Sequence, residues 1–306
     1  MSQGFGIIDR SAPRDAAQKT RFETQELPKT LGNHREAAKF YQPDDDLVGA
    51  LNAAITVGAP LLVTGEPGTG KTQVAYWAAY HLGIEDRIFK LDVRSTSVAS
   101  DLFYRFDAVA YFHAANDRSR TEPLDPKQFR SKQALWRALE SPRSIVLIDE
   151  VDKAQRDFPN DLLQALDQYE FYVHETAEKV IRQGNGAPPL VIITSNSERR
   201  LPEPFLRRCI FHHIEFSEEL VRRAVSARAG DFPSLDAGAR EAAIKRFFEL
   251  RKRDLRKKPA TAELLVWLIL LSARSKITAK EIESARLGDL PAIGALIKDH
   301  EDRKEL

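Results

Sequence analysis

The chain has 306 residues, 42% of them hydrophobic, with 46 Lys and Arg against 45 Asp and Glu. That length supports one large globular domain or two moderate ones, and the balanced charge gives no global reason for a polyanion or an anionic membrane as main partner. The single cysteine, Cys209, excludes an intramolecular disulfide framework.

Residues 1–40 are polar and unpatterned, and are expected to form a partly disordered lead-in without the apolar core of a signal peptide. Together with the lone cysteine, this makes a cytoplasmic setting the expectation. Five short apolar runs follow, at 59–65, 87–93, 144–150, 189–196 and 209–216. The segments between them are long enough for crossover helices, and the first, third and fourth runs are apolar on both faces, as buried parallel strands are. The pattern predicts an α/β fold with a five-stranded, mostly parallel sheet over 41–216, with helices at 72–83 and 158–170. From 217 to 306 only helical periodicity remains, each segment beginning near a Ser, Thr or Asp suited to capping, which predicts a small all-helical domain. Its apolar run at 264–271 is far short of the roughly 18 to 20 residues that cross a bilayer, so no membrane span is expected.

The first run leads into GEPGTGKT at 65–72. A strand, a glycine-rich turn with the G-x-x-x-x-G-K-[ST] spacing, then a helix is the context in which backbone N–H groups cradle phosphates at a helix N-terminus. Gly65, Glu66, Pro67, Gly68, Thr69 and Gly70 would form the cradle, Lys71 would reach the β and γ phosphates, and Thr72 would hold Mg2+ through its hydroxyl. ATP with Mg2+ is the expected cofactor pair. The third run, SIVLIDEVDKA, ends in adjacent carboxylates where ligands sit in open α/β sheets. Asp149 suits the Mg2+ shell and Glu150 suits general-base chemistry on an attacking water, so hydrolysis is expected.

With these motifs in place, PLLVTGEPGTGKT, VLIDEVDKA, LLQALDQYEFYVHETAEKVI and LPEPFLRRCIFHHIEF together resemble the AAA+ ATPases, in their MoxR-like, dynein-related branch, over about 41–275. The resemblance implies a P-loop αβα sandwich followed by a helical lid at 217–306. It implies a water-orienting polar residue at Asn196. It also implies an arginine finger acting in a neighbouring subunit, for which Arg208 is the closer match and Arg207 the alternative. A homo-oligomeric, hexameric ring that remodels or chaperones a protein substrate, with a von Willebrand factor A domain as partner, follows from the same resemblance. So do a hairpin insert at 166–181 facing the ring channel and a second insert within 94–130, where Phe103, Tyr104 and Phe106 are either substrate-gripping or core.

The pattern departs from the family at Ala262, which stands where a lid arginine often contacts the γ phosphate; Lys257 or Lys258 are the substitutes at hand. Two other classes stay open. The basic run at 251–258 permits a DNA-associated loader, although nucleic acid is not the expected partner, and the lid departure permits a nucleotide-gated scaffold with little turnover. His212 and His213, adjacent on a strand, point to opposite faces and cannot share a metal, and Cys209 suits a small apolar role.

Overall fold

The computed structural model describes residues 28–117, 122–181, 187–273 and 277–306, together with 19, 23 and 24. The disorder expected over 1–40 falls mostly outside the described residues. The chain forms two compact units, Pro43–Glu215 and a second one containing Phe216–Leu306 with the residues up to Gln42. In the described part of the lead-in, helix α1 (His34–Ala38) buries Ala37 and Ala38. Thr30 donates to Asp231 at 2.6 Å and accepts from Arg228, so this stretch is bonded to the helical unit.

In the first unit, α2 (Asp45–Val57) starts at the capping side chain of Asp44 and stops at Gly58, whose φ of 70° ends the helix cheaply. Strand β1 (Leu61–Gly65) then runs into α3 (Lys71–Leu82), followed by β2 (Ile88–Asp92), β3 (Tyr104–Phe106), α4 (Ala108–Ala115), β4 (Arg130–Lys132) and α5 (Ala134–Glu140). Beyond these come β5 (Ile145–Asp149), α6 (Phe158–Gln168), β6 (Glu170–Val173), β7 (Glu178–Ile181), β8 (Leu190–Ser195), α7 (Glu203–Leu206) and β9 (Ile210–Ile214).

The main sheet has the order β2-β5-β8-β1-β9 and every pairing in it is parallel. The three central strands are buried along their whole length, while the edge strands β2 and β9 keep partly exposed positions, as expected where only one neighbour exists. One sheet face sends Leu62, Leu91, Val146, Ile148, Val191 and Ile193 into a core shared with Leu135 and Leu139 of α5 and Leu162 and Leu166 of α6. Each such side chain contributes about 1.5–3 kcal/mol of transfer free energy. The alternate residues face the other way, where α3 crosses β1, β8, β5 and β2.

Two short antiparallel pairs decorate this frame, β3 with β4 and β6 with β7, the latter a hairpin within the stretch the sequence marked as an insert. The aromatic cluster of the other insert points inward. Phe103 stacks on Phe171 at 4.8 Å, Tyr104 is buried beside Trp136, and Phe106 packs against the same core. The core alternative therefore holds for Tyr104, while Phe103 and Phe106 are partly buried against that core. Arg130 lies over Trp136 at 4.6 Å and pairs with Glu178, joining the two decorations.

The second unit contains α8 (Glu218–Ala227), α9 (Ala237–Arg251), α10 (Thr261–Ser272), α11 (Ala279–Ser284) and α12 (His300–Lys304) around Val221, Phe232, Phe247, Leu264, Trp267 and Leu268. Ser217, Asp236, Thr278 and Asp299 cap four of these helices. Helix α10 is the exception to the expected pattern: Thr261 is its first helical residue, Ala260 precedes it, and Glu263 accepts from the Ala260 N–H at 3.2 Å instead.

Candidate nucleotide site

The turn between β1 and α3 needs its glycines. Gly65 has φ 151°, and a Cβ there would lie 2.7 Å from the Ile214 carbonyl oxygen and 3.0 Å from the Thr69 hydroxyl. Gly68 and Gly70, at φ 76° and 93°, adopt the left-handed conformations that carry the chain into the helix. Thr69 closes the turn by donating its hydroxyl to the Glu66 carbonyl at 2.9 Å. Lys71 folds back over the turn, its ammonium donating to the carbonyls of Gly65 and Glu66 at 2.8 Å each. Burial pushes the Lys71 pKa down, opposed by the carboxylates of Asp152, Asp149 and Glu150. A cation thus sits at the mouth of a turn shaped for anions.

The carboxyl ends of β5 and β8 supply the rest. Asp149 accepts from Thr194 at 2.6 Å, from Thr72 at 3.0 and 3.2 Å, and pairs with Lys90 at 2.9 Å. Burial would raise its pKa, but the donors Thr194, Lys90 and Thr72 outweigh that and hold the carboxyl below its ordinary value. The Thr72 hydroxyl and an ionised Asp149 offer oxygen ligands only, which fits a hard divalent cation such as Mg2+. Among the described residues no group of three or more His, Cys, Asp and Glu forms a separate metal centre.

Glu150 sits in the left-handed region at φ 61°, its N–H donating to the Thr194 hydroxyl at 2.9 Å. The Glu150 carboxylate pairs with Lys153 and receives the Asn196 side-chain amide at 3.4 Å. Asn196 is itself seated by Asp152, a buried carboxylate that accepts the N–H groups of Asn196 at 3.2 Å and Glu198 at 3.0 Å. Lys71, Thr72, Asp149, Glu150 and Asn196 therefore come together as one constellation. Sequence reasoning missed Asp152 and Lys90; for Asp152 the signal was a second acid two residues beyond Glu150.

Arg207 and Arg208 directly follow α7, apart from that constellation in their bonding. Arg208 pairs with Asp167 of α6 at 3.1 Å, its side chain 46% exposed, whereas Arg207 is 80% exposed and pairs with Glu203 at 3.1 Å. Cys209 is half-buried among apolar groups, which pushes its thiol up to about 12 and leaves it without nucleophilic character. His212 lies 3.8 Å from Asp44, and His213 bonds the Thr64 hydroxyl through Nδ1 at 2.9 Å, so the two rings serve different neighbours. In the helical unit, Arg251 of the basic run stacks on Phe216 at 3.6 Å and donates to the Pro259 carbonyl at 2.6 Å. The backbone of Arg256 and Lys257 is held by buried Asp302, so much of that run is structural.

Residues 60–209 match the AAA domain of the dynein-related subfamily, a span that begins just before β1 and ends just after the arginine pair. Residues 60–209 are an AAA+ ATPase domain. No curated protein matches the chain. Among solved structures, a protein from Cytophaga hutchinsonii described as a candidate ATPase aligns over 94% of this chain and 87% of its own, at 14% identity and a TM-score of 0.39. No helix among the described residues is long and apolar enough to cross a membrane.

Proposed function

We propose that this protein, acting in the cytoplasm as a MoxR-like AAA+ ATPase, hydrolyses ATP with Mg2+ where two copies meet in a hexameric ring. It uses the cycle to remodel or chaperone a partner protein, a von Willebrand factor A domain protein among the candidates. The loop from Gly65 to Gly70 seats the phosphates and Lys71 moves from its loop carbonyls to the β and γ phosphates. Thr72 and Asp149 hold Mg2+, which when bound draws charge from the phosphoryl oxygens. Glu150 takes the proton of the attacking water, Asn196 fixes that water, and Arg208 of one copy, with Arg207 as the alternative, neutralises the charge developing in the site of the next.

The observation that carries this reading is the Asn196 amide 3.4 Å from the Glu150 carboxylate, one residue from the Asp149 that bonds Thr72. A base and a water-orienting donor adjacent to a metal carboxylate suit hydrolysis better than phosphate storage. The Lys153 ion pair on Glu150 favours one refinement, a nucleotide-gated scaffold whose turnover stays low until a neighbour or partner frees the carboxylate. Subunit mixing tests the shared site. Lys71→Ala and Arg208→Ala proteins are each expected to be inactive alone, and mixing them is expected to recover turnover, because an intact loop then meets an intact arginine. An Arg208→Ala protein that keeps its turnover alone, while Arg207→Ala is inactive alone and recovers on mixing with Lys71→Ala, would transfer the role to Arg207. Failure of both mixtures would overturn the trans arrangement.

A further inference from the structure

Lys90 touches the metal carboxylate, yet it belongs to neither sequence motif. Strands β2 and β5 pair with Asp92 opposite Asp149 and Lys90 opposite Leu147, so Lys90, Asp92 and Asp149 share the sheet face crossed by α3. The Lys90 ammonium lies 2.9 Å from Asp149 Oδ2 and 2.6 Å from Asp92 Oδ1. Its two acceptors differ sharply: the Asp149 side chain is 9% exposed and the Asp92 side chain 69%. One cation is thus shared between a buried carboxylate, where a missing countercharge is costly, and a solvated one, where it matters little. The remaining donors on Asp149 are the hydroxyls of Thr194 and Thr72, neither charged.

A divalent cation ligated by Thr72 and Asp149 adds two positive charges beside a third. Repulsion then favours moving the ammonium off Asp149, and Asp92 is already within bonding distance to receive it. We infer that Lys90 is a positioning residue for metal entry: its ammonium stands in for the divalent cation on Asp149 in the nucleotide-free protein and is released onto Asp92 when the metal arrives. Lys90 and Asp92 thereby set how much Mg2+ the site requires. The inference rests on Asp149 being the metal carboxylate, as proposed above. A merely structural pair would instead alter stability and leave the Mg2+ requirement where it was.

The test is a MgCl2 titration of the full-length protein with a fluorescent ATP analogue, reading bound nucleotide rather than turnover, with binding in EDTA as the metal-free baseline. Lys90→Gln removes the competing cation and should lower the half-saturating Mg2+ concentration on the order of fivefold. Asp92→Asn removes the alternative acceptor and should raise it by a similar factor, while both variants keep the EDTA baseline. Shifts in the same direction, or none, overturn the inference. Asp149→Asn separates the two levels. If it abolishes the Mg2+ dependence while Lys90→Gln and Asp92→Asn change nothing, only the role of Lys90 fails. If it leaves the Mg2+ dependence intact, the metal assignment fails and this inference with it.

Discussion

The sheet unit and the helical unit hide their polar groups for different ends. In the sheet unit Thr69, Lys71, Asp149, Asp152, Thr194 and Ser195 are buried at the phosphate loop or the carboxyl ends of strands, where chemistry is placed. In the helical unit the buried Asp302 ties down the backbone of Arg256 and Lys257, and Trp267 donates to the Pro291 carbonyl at 2.6 Å. Burying charge is costly unless it is paired. The sheet unit meets that cost at one edge and offsets it with the fully apolar bodies of β1, β5 and β8. The helical unit uses buried polarity to fix loops around an apolar core. Substitution at a strand end should therefore change chemistry with little change in fold, and substitution in the helical core should do the reverse.

Glu150→Gln sharpens the first half of that contrast and should have the largest effect. The change keeps shape and removes the anion, so phosphate release should fall about 10²–10⁴-fold while ATP binding survives. The Glu150–Lys153 pair is half-exposed, and its loss should cost no more than about 1 kcal/mol in denaturant unfolding. Normal turnover would remove Glu150 from the base role, and a collapse of stability would show that this strand end supports the fold as well.

Trp267→Ala probes the other half. The indole is fully buried among Phe247, Leu264 and Leu268, and its N–H would leave the Pro291 carbonyl unpaired. A loss of about 3–5 kcal/mol is expected, read as an earlier unfolding transition. Nucleotide binding should persist below that transition if the loop from 65 to 72 is held by its own sheet. Loss of binding under conditions where the protein remains folded would mean that the two units do not divide the labour as described.

Why some of this could be read from sequence and some could not follows from distance along the chain. The phosphate turn is written locally: the left-handed conformations at Gly68 and Gly70, and the close approach at Gly65, demand glycine at fixed spacing. The three central strands are legible because burial on both faces leaves uninterrupted apolar runs. Lys90 looks like an ordinary edge-strand charge until β2 is known to lie beside β5, a fact of strand order rather than spacing. Asp152 finds its partners 44 and 46 residues away. Phe103 meets Phe171 only through the pairing of two small sheets on one core, so the sequence shows an aromatic cluster without its direction. In sequence Arg208 is only the closer match to the family segment with Arg207 one residue away, and Asp167 on α6 is what separates their surroundings.

The smallest effect belongs to a helix end. Thr278 caps α11 reciprocally, its hydroxyl accepting the Glu281 N–H at 3.3 Å while Glu281 accepts the Thr278 N–H at 2.8 Å. Helix α11 is only six residues long and holds one buried apolar side chain, Ile282, against the core it shares with α9. So short a helix has little propensity of its own, and the cap fixes where its single anchor enters. Thr278→Ala should lower the stability of the helical unit by about 1 kcal/mol, with Thr278→Ser close to the native value and turnover per folded molecule unchanged. A loss as large as that of Trp267→Ala would mean that α11 helps to organise the unit, and the polar groups of the helical unit would then carry more of its stability than its apolar core implies.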